Sequence, residues 1–375
     1  MTTDFRKLAA PAILGLAPYV PGKPLSELER EYGIFDSVKL ASNENPLGPS
    51  ARAVQAATAA LGSIRLYPDG NGHELRQALA RHHAIAPECI TLGNGSNDLL
   101  VMLAEAFLAP GVEAAMSEYC FQVFPLAAQA TGAAVVIAPA QPRNAAMPLG
   151  HDVKALRAAV SERTRLVFVA NPNNPTGTWL APGELRGFIE SLPATTLVVI
   201  DEAYYDYARA VDCPDASAWL RDFPNLVVLR TFSKAYGLAG LRVGYALSHP
   251  VVAELLNRVR QPFNVSSVSL AAASAALADH AHLQEVVALN RAGIERLTGS
   301  CRSLGIECLP TAGNFVLIDF TRPAARIYEA MLRSGVIARP MAPYGLPNYL
   351  RISTGTAAQN ERCIQALAAA VGSAA

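Results

Sequence analysis

Between residue 50 and about residue 250, short apolar runs rich in Val, Ile and Leu alternate with stretches of helical periodicity, and no other feature of the chain narrows its fold as far. The runs are Cys89–Leu92, Ala133–Ala138, Leu166–Ala170, Leu197–Ile200, Leu226–Leu229 and Val243–Leu247. Such alternation argues for βαβ units around a parallel sheet. A helix is expected between the first two runs. Ser96 is placed to cap it, and Leu99, Leu100, Leu103 and Phe107 share one face before Pro110-Gly111 ends it. Beyond about residue 265 the texture changes to a long Ala-rich helix. Strands at Phe315–Asp319, Val336–Arg339 and Leu350–Ser353 follow, with a helix at Ala324–Arg333 and a last helix after them. At 375 residues, with about 150 per domain, two domains are expected. The reading is an α/β protein with a mainly parallel central sheet in a large domain, residues 45–265. A smaller α+β domain spans 266–375, completed by part of 1–44, whose Pro-rich remainder reads as an extended arm. The Ala-rich stretches from Ala271 and at the C-terminus read as helices and a frayed tail.

Composition excludes several classes. With 51% hydrophobic and 17% charged residues the chain is neither disordered nor collagen-like. Lys+Arg and Asp+Glu both number 31, so neither a basic nucleic-acid footprint nor a polybasic membrane face is expected. Nowhere do about 18 apolar residues run together. The apolar stretch from Leu8 to Pro18 is broken by Pro11 and Gly15 and is not read as a signal peptide. The six cysteines are scattered without C-x-x-C spacing, as expected of reduced thiols in the cytoplasm. The histidines lack partners at metal spacing and read as helix-surface residues, so no metal is expected. Only five residues are lysines: Lys7, Lys23, Lys39, Lys154 and Lys234. Lysine, unlike arginine, can be deprotonated and do covalent chemistry, so the candidates for that role are few.

In open parallel sheets, ligands bind beyond the carboxyl ends of the strands. Those positions carry Asn171–Gly177 (NPNNPTG), Asp201-Glu202-Ala203-Tyr204, Arg230, Ser233-Lys234 and Gly240-Leu-Arg242-Val-Gly244. The first strand runs into Gly93-Asn-Gly95-Ser96-Asn97 at a helix start, where unpaired N–H groups and the dipole favour a phosphate. Taken singly, each has an ordinary reading: a turn, a cap or a solvated side chain. The Gly spacing in GLAGLRVG does not match the dinucleotide fingerprint. Together they would bring an acid, a lysine, an arginine, a phosphate-type helix start and amide side chains to one crevice. Pyridoxal phosphate needs that set: a lysine for its Schiff base, an acid for its ring nitrogen, and donors for its phosphate and ring oxygen.

The same residues carry a family resemblance. The segments LASNENPLGPS (from Leu40), YPDG (from Tyr67), GNGSND (from Gly93), NPNNPTG, DEAY (from Asp201), SKAYGLAGLRVGY (from Ser233) and the late RP and YLRISTG occur in order. The chain thus resembles the fold-type I PLP-dependent aminotransferases of class I/II and, within them, the histidinol-phosphate aminotransferases. The resemblance implies that Lys234 is the Schiff-base lysine and proton shuttle and that Asp201 pairs with the ring nitrogen. It implies that Asn174 and Tyr204 hydrogen-bond the ring oxygen, and that Ser233, Arg242 and the backbone at Ser96 and Asn97 hold the phosphate. The family often has an acidic residue where Asn97 stands. Phe121 matches the ring that stacks on the cofactor, with Tyr119 as the alternative. Tyr67 matches a residue that reaches the neighbouring subunit's cofactor phosphate, which implies a homodimer.

For substrate, the resemblance implies that Arg351 takes the carboxylate of the amino donor. Arg339 and Tyr19 would lie near the phosphate of histidinol phosphate, and Asn43 would line the pocket. The implied activity is transfer of an amino group between histidinol phosphate or imidazole acetol phosphate and glutamate or 2-oxoglutarate, in cytoplasmic histidine biosynthesis. Aromatic amino-acid aminotransferases share most of these blocks, and a PLP decarboxylase or lyase needs the same electron sink. Both remain open on the sequence.

Overall fold

The computed structural model of the chain describes residues 3–373. In chain order the strands begin β1 (Val38–Lys39), β2 (Ile90–Gly93), β3 (Glu113–Ser117), β4 (Ala134–Ala138) and β5 (Thr164–Ala170). They continue as β6 (Leu197–Asp201), β7 (Leu226–Thr231), β8 (Gly244–Ser248), β9 (Glu307–Cys308), β10 (Phe315–Asp319), β11 (Val336–Ile337), β12 (Arg339–Pro340) and β13 (Tyr349–Ser353). The central sheet has seven strands in the order β2-β8-β7-β6-β5-β3-β4. It is parallel from β4 across to β7, while β8 runs antiparallel to both β2 and β7.

Side chains along a strand alternate between faces, and here both faces are buried. Val167, Val169, Val198, Ile200 and Val228 enter one hydrophobic core. Phe168, Ala170, Val199, Val227 and Leu229 enter another on the opposite side. This is why the runs read as continuously apolar rather than alternating. Strand β3 escapes a sequence reading because Glu-Ala-Ala-Met-Ser has no β-branched or aromatic residue. Pairing with β4 and β5 makes it a strand all the same.

The helix Ser96–Phe107 buries Leu99, Leu100 and Leu103 as expected, but its cap is Gly95, not Ser96. Gly95 has φ of 80°, a conformation that glycine adopts without a Cβ penalty. Ser96 is therefore the first helical residue and contributes its N–H to the open helix end.

A second, four-stranded sheet has the order β12-β13-β10-β9 and is antiparallel. Along β13, Leu350 and Ile352 pack into the smaller core, while Arg351 faces the cavity described below. The N-terminal segment joins this layer through the parallel pair β1–β11, Val38 opposite Val336. The arm is not wholly extended. Leu25–Tyr32 is a helix whose Leu28 is buried with Leu332 and Ile337, and Gly33 ends it in the left-handed conformation.

The helix Ser267–Leu277 sets Ala272, Ala273 and Ala276 into the core of the large sheet. The next, His280–Ser303, begins in that core with Leu283 and Val286 and ends in the smaller one with Leu297 and Cys301. The large core thus extends past residue 265, because an Ala-rich texture marks a helix without saying which sheet it covers. The last helix, Ala357–Ser373, closes the smaller core, and the remainder of the expected frayed tail lies outside the described residues.

Candidate active site

The parallel strands deliver their carboxyl ends to one edge, and a cavity of about 210 Å³ opens there. Tyr19, Asn43, Ser96, Asn97, Phe121, Asn174, Asp201, Tyr204, Ser233, Lys234, Arg242, Arg339 and Arg351 line it. Tyr67 does not. It is 83% exposed and stacks on Phe263, with ring centroids 4.7 Å apart. Of the two candidate stacking rings, Phe121 lines the cavity. Tyr119 packs against the group formed by Leu309, Leu317 and Met341.

Lys234 follows β7 and is half-buried. Its Nζ donates to the Ser42 carbonyl at 3.2 Å and lies 5.7 Å from the Tyr204 ring centroid. Burial is the main force lowering its pKa to about 8. The cation of Arg351 and, more weakly, that of Arg242 add to it, while Glu44 and Asp201 oppose. Asp201 ends β6, accepts the Ala203 N–H at 3.1 Å and is pushed up to about 6 by burial. The next side chain alternates away. Glu202 accepts Arg230 Nε at 2.9 Å and Nη2 at 2.7 Å, and Arg230 also donates to Asp215 at 2.6 Å. Arg230, read from the sequence as a strand-end residue, is thus inside β7 and committed to a buried ion cluster rather than to the cavity.

Arg242 sits at φ of 52° and donates to Ser233 Oγ at 3.2 Å and the Ala239 carbonyl at 3.1 Å. A Cβ on Gly95 would lie 2.9 Å from Arg242 Cζ, and one on Gly244 would lie 2.7 Å from Ser96 N. Two glycines therefore let a guanidinium approach a helix start closely. With Ser233 Oγ and the first N–H groups of the helix they form a cradle for an anion.

Tyr204 is buried edge-on against Phe315, with centroids 5.3 Å apart, and its hydroxyl accepts Asn43 Nδ2 at 2.9 Å. Burial raises its pKa to about 12.

Arg351 and Arg339 stand directly opposite one another on β13 and β12. Arg351 donates to the Asn174 side-chain oxygen and, at 2.8 Å, to the Ala41 carbonyl, while its Nε is buried without a partner. Arg339 donates to the Val20 carbonyl at 2.5 Å and lies 5.9 Å from the Tyr19 ring centroid. Their partners among the described residues are neutral oxygens. Like charges directly opposite in a sheet destabilise it, and burial disfavours the charge of Arg351. A negative charge placed between them would relieve both costs.

Two features went unread in the sequence. His151 is not a helix-surface residue. It is buried between Ser117 Oγ at 2.7 Å and the Ala170 carbonyl at 2.9 Å, and burial lowers its pKa to about 4, so it is neutral. Ser353 touches Asn43, and strand alternation from Arg351 was the signal that would have found it.

The chain matches the family described as aminotransferase class I and II over residues 36–367. It is 52% identical over 370 residues to histidinol-phosphate aminotransferase 2 of Pseudomonas fluorescens (strain Pf-5), covering 98% of each. It is 51% identical over 363 residues to histidinol-phosphate aminotransferase 1 of Nitrosococcus oceani, covering 97% of this chain and 96% of that protein. Among solved structures, histidinol-phosphate aminotransferase from Sinorhizobium meliloti in complex with pyridoxal-5'-phosphate gives a TM-score of 0.89. It is 33% identical, with 98% of each chain covered.

Proposed function

The chain belongs to the aminotransferase class I and II family, and from that premise we propose that it is a histidinol-phosphate aminotransferase. In this reading it moves an amino group between histidinol phosphate or imidazole acetol phosphate and glutamate or 2-oxoglutarate, in histidine biosynthesis. The observation that carries the reading is the opposed pair Arg339 and Arg351, two buried cations on the wall of a cavity that also holds Lys234 and Asp201. Arg351 would take the carboxylate of the amino donor. Arg339, with Tyr19, would take the phosphate of histidinol phosphate, and Asn43 would line the space between.

The cofactor is pyridoxal 5'-phosphate. When bound, it supplies a protonated pyridine into which the charge of a weakened Cα–H bond can spread. The donor set of the cavity fits it. Ser233, Arg242 and the N–H groups of Ser96 and Asn97 would hold the phosphate in the cradle that Gly95 and Gly244 leave open. Phe121 would stack on the ring, Asn174 and Tyr204 would hydrogen-bond its oxygen, and Asp201 would hold the proton on its nitrogen. Lys234 Nζ would be its point of attachment and, in its neutral form, the base that takes the proton from the substrate Cα. An amine whose pKa is lowered to about 8 suits that task at neutral pH.

Homodimerisation and a cytoplasmic location belong to the same proposal. Tyr67 is exposed beside Ile64, Leu66 and Phe263, an apolar surface suited to a second copy, whose cofactor phosphate Tyr67 would reach. No helix among the described residues is long and apolar enough to cross a membrane, and six unpaired thiols would stay reduced in the cytoplasm.

Two measurements test the reading. In a half-reaction panel, the pyridoxal phosphate-loaded protein is mixed in turn with histidinol phosphate, phenylalanine and tyrosine, and its visible band is followed. Histidinol phosphate should discharge the band fastest, and Arg339→Leu should raise its half-saturating concentration roughly 10- to 100-fold while leaving glutamate nearly unchanged. A clear win for the plain aromatics would replace this reading with an aromatic amino-acid aminotransferase. Separately, Gly95→Ala should displace the Arg242 guanidinium and weaken pyridoxal phosphate binding at least about tenfold by equilibrium dialysis. Unchanged affinity would remove the cradle from the argument.

A further inference from the structure

Ser353 lies two residues beyond Arg351 on β13, buried at 3% exposure, and touches a residue from a distant part of the chain. Its Oγ accepts the Asn43 backbone N–H at 2.8 Å and lies 2.9 Å from Asn43 Oδ1, to which it donates. Asn43 holds φ of 55°, a left-handed conformation that asparagine tolerates better than most residues. Asn314 adds a second tether by donating to the Asn43 carbonyl at 3.0 Å. With backbone and Oδ1 both fixed, the amide has one remaining direction for its nitrogen, and Nδ2 donates to Tyr204 Oη at 2.9 Å.

The proton count gives this arrangement a consequence. Ser353 has one hydrogen, and Asn43 Oδ1 is its acceptor. If the amide were reversed, Ser353 Oγ would face two donors and its own hydrogen would lose its acceptor. Oδ1 would then face Tyr204 and take the tyrosine's hydrogen. In the observed orientation Tyr204 Oη accepts from Asn43, so its single hydrogen is free for the cavity. We infer that Ser353 is a positioning residue: through Asn43 it turns the hydroxyl hydrogen of Tyr204 toward the ring oxygen of the cofactor. The inference rests on the proposed cofactor site, and Ser353 itself does not touch the cavity. It also ties two functions to one strand, because Arg351 and Ser353 are successive residues on the same face of β13.

A hydrogen donated to the ring oxygen stabilises its anionic form, which lowers the pH at which the loaded protein's visible band titrates. Removing the Ser353 hydroxyl should free the amide to turn and cost Tyr204 its orientation. The test is a spectrophotometric pH titration of the holoenzyme without substrate. Ser353→Ala should raise the midpoint by about half to one pH unit, and Ser353→Thr, which keeps the hydroxyl, should stay near the parent. In a Tyr204→Phe background, Ser353→Ala should add no further shift. A parental midpoint in Ser353→Ala, or equal shifts in the Ala and Thr variants, would overturn the inference. If Ser353→Ala does not fold, Asn43→Gly decides the matter. Glycine accepts the left-handed backbone while deleting the amide, so it must raise the midpoint too, and an unchanged midpoint refutes the inference. A parent protein that shows no titrating visible band would instead refute the cofactor site, which separates the two failures.

Discussion

Lys234→Ala is expected to abolish turnover, by roughly four orders of magnitude or more, together with the visible band that borohydride fixes covalently to the chain. The expectation follows from the company each lysine keeps. Lys23 is held between Glu27 and Glu31 at 2.6 and 2.7 Å, which stabilises its charge and raises its pKa. Lys39 is paired with Glu44 at 2.7 Å. Lys7 and Lys154 are exposed. Lys234 alone among the described lysines is neither exposed nor ion-paired, donating only to a backbone carbonyl. Two guanidinium groups and the loss of water both favour its neutral, nucleophilic form. The measurement is the absorption spectrum of the purified variant before and after borohydride, followed by peptide mapping. A reduced adduct still bound to the Lys234→Ala chain would assign the chemistry to another amine.

Asp201→Asn should fold and bind cofactor yet react about two orders of magnitude more slowly. A carboxylate beside a ring nitrogen raises that nitrogen's pKa by one to three units, roughly, and the amide cannot. The stability of the cofactor-free protein supplies a control with a definite sign. Burial raises the folded-state pKa of Asp201 from 3.8 to about 6. The folded state therefore holds this proton more tightly than the unfolded one. Ionising it is neutral to folding below about pH 4, costs progressively more between about pH 4 and 6, and costs its full amount above that. Cofactor-free Asp201→Asn should thus melt no lower than the parent at pH 7 to 8, and any advantage should shrink toward pH 4. A slow variant with a lower melting temperature at pH 8 would be a damaged fold. A fast variant would remove the electron-sink argument.

What the sequence disclosed follows from where chemistry and packing coincide. The central strands were legible because both faces of the sheet are buried and their runs are uniformly apolar, and β3 was hidden because it is made of Ala and Met. Lys234, Asp201 and Arg242 were legible because each stands at a strand end on one edge of the sheet: Asp201 closes β6, Lys234 lies just past β7, and Arg242 just before β8, which returns antiparallel from that edge. Arg230 was misread for the same reason. Strand-end position identifies an edge, but the period of two decides the face, and Arg230 points to Glu202. His151 could not be found by either rule, and for Ser353 the period of two gives the face but not the partner, since their partners lie 34 and 310 residues away in the chain. Such contacts exist only once the fold has formed. The opposition of Arg339 and Arg351 is of this kind as well, because register between two strands is not written in either one.

The alternation along β13 bears on how a protein of this kind can change. Leu350 and Ile352 belong to the interior of the smaller layer, whereas Arg351 and Ser353 serve the cavity side. Substitutions at the second pair leave the first pair's contacts in place. A lineage can therefore alter which anion it recognises, or how its tyrosine is aimed, without losing the packing that keeps the strand in register. Innovation and foldability are assigned to opposite sides of one five-residue segment.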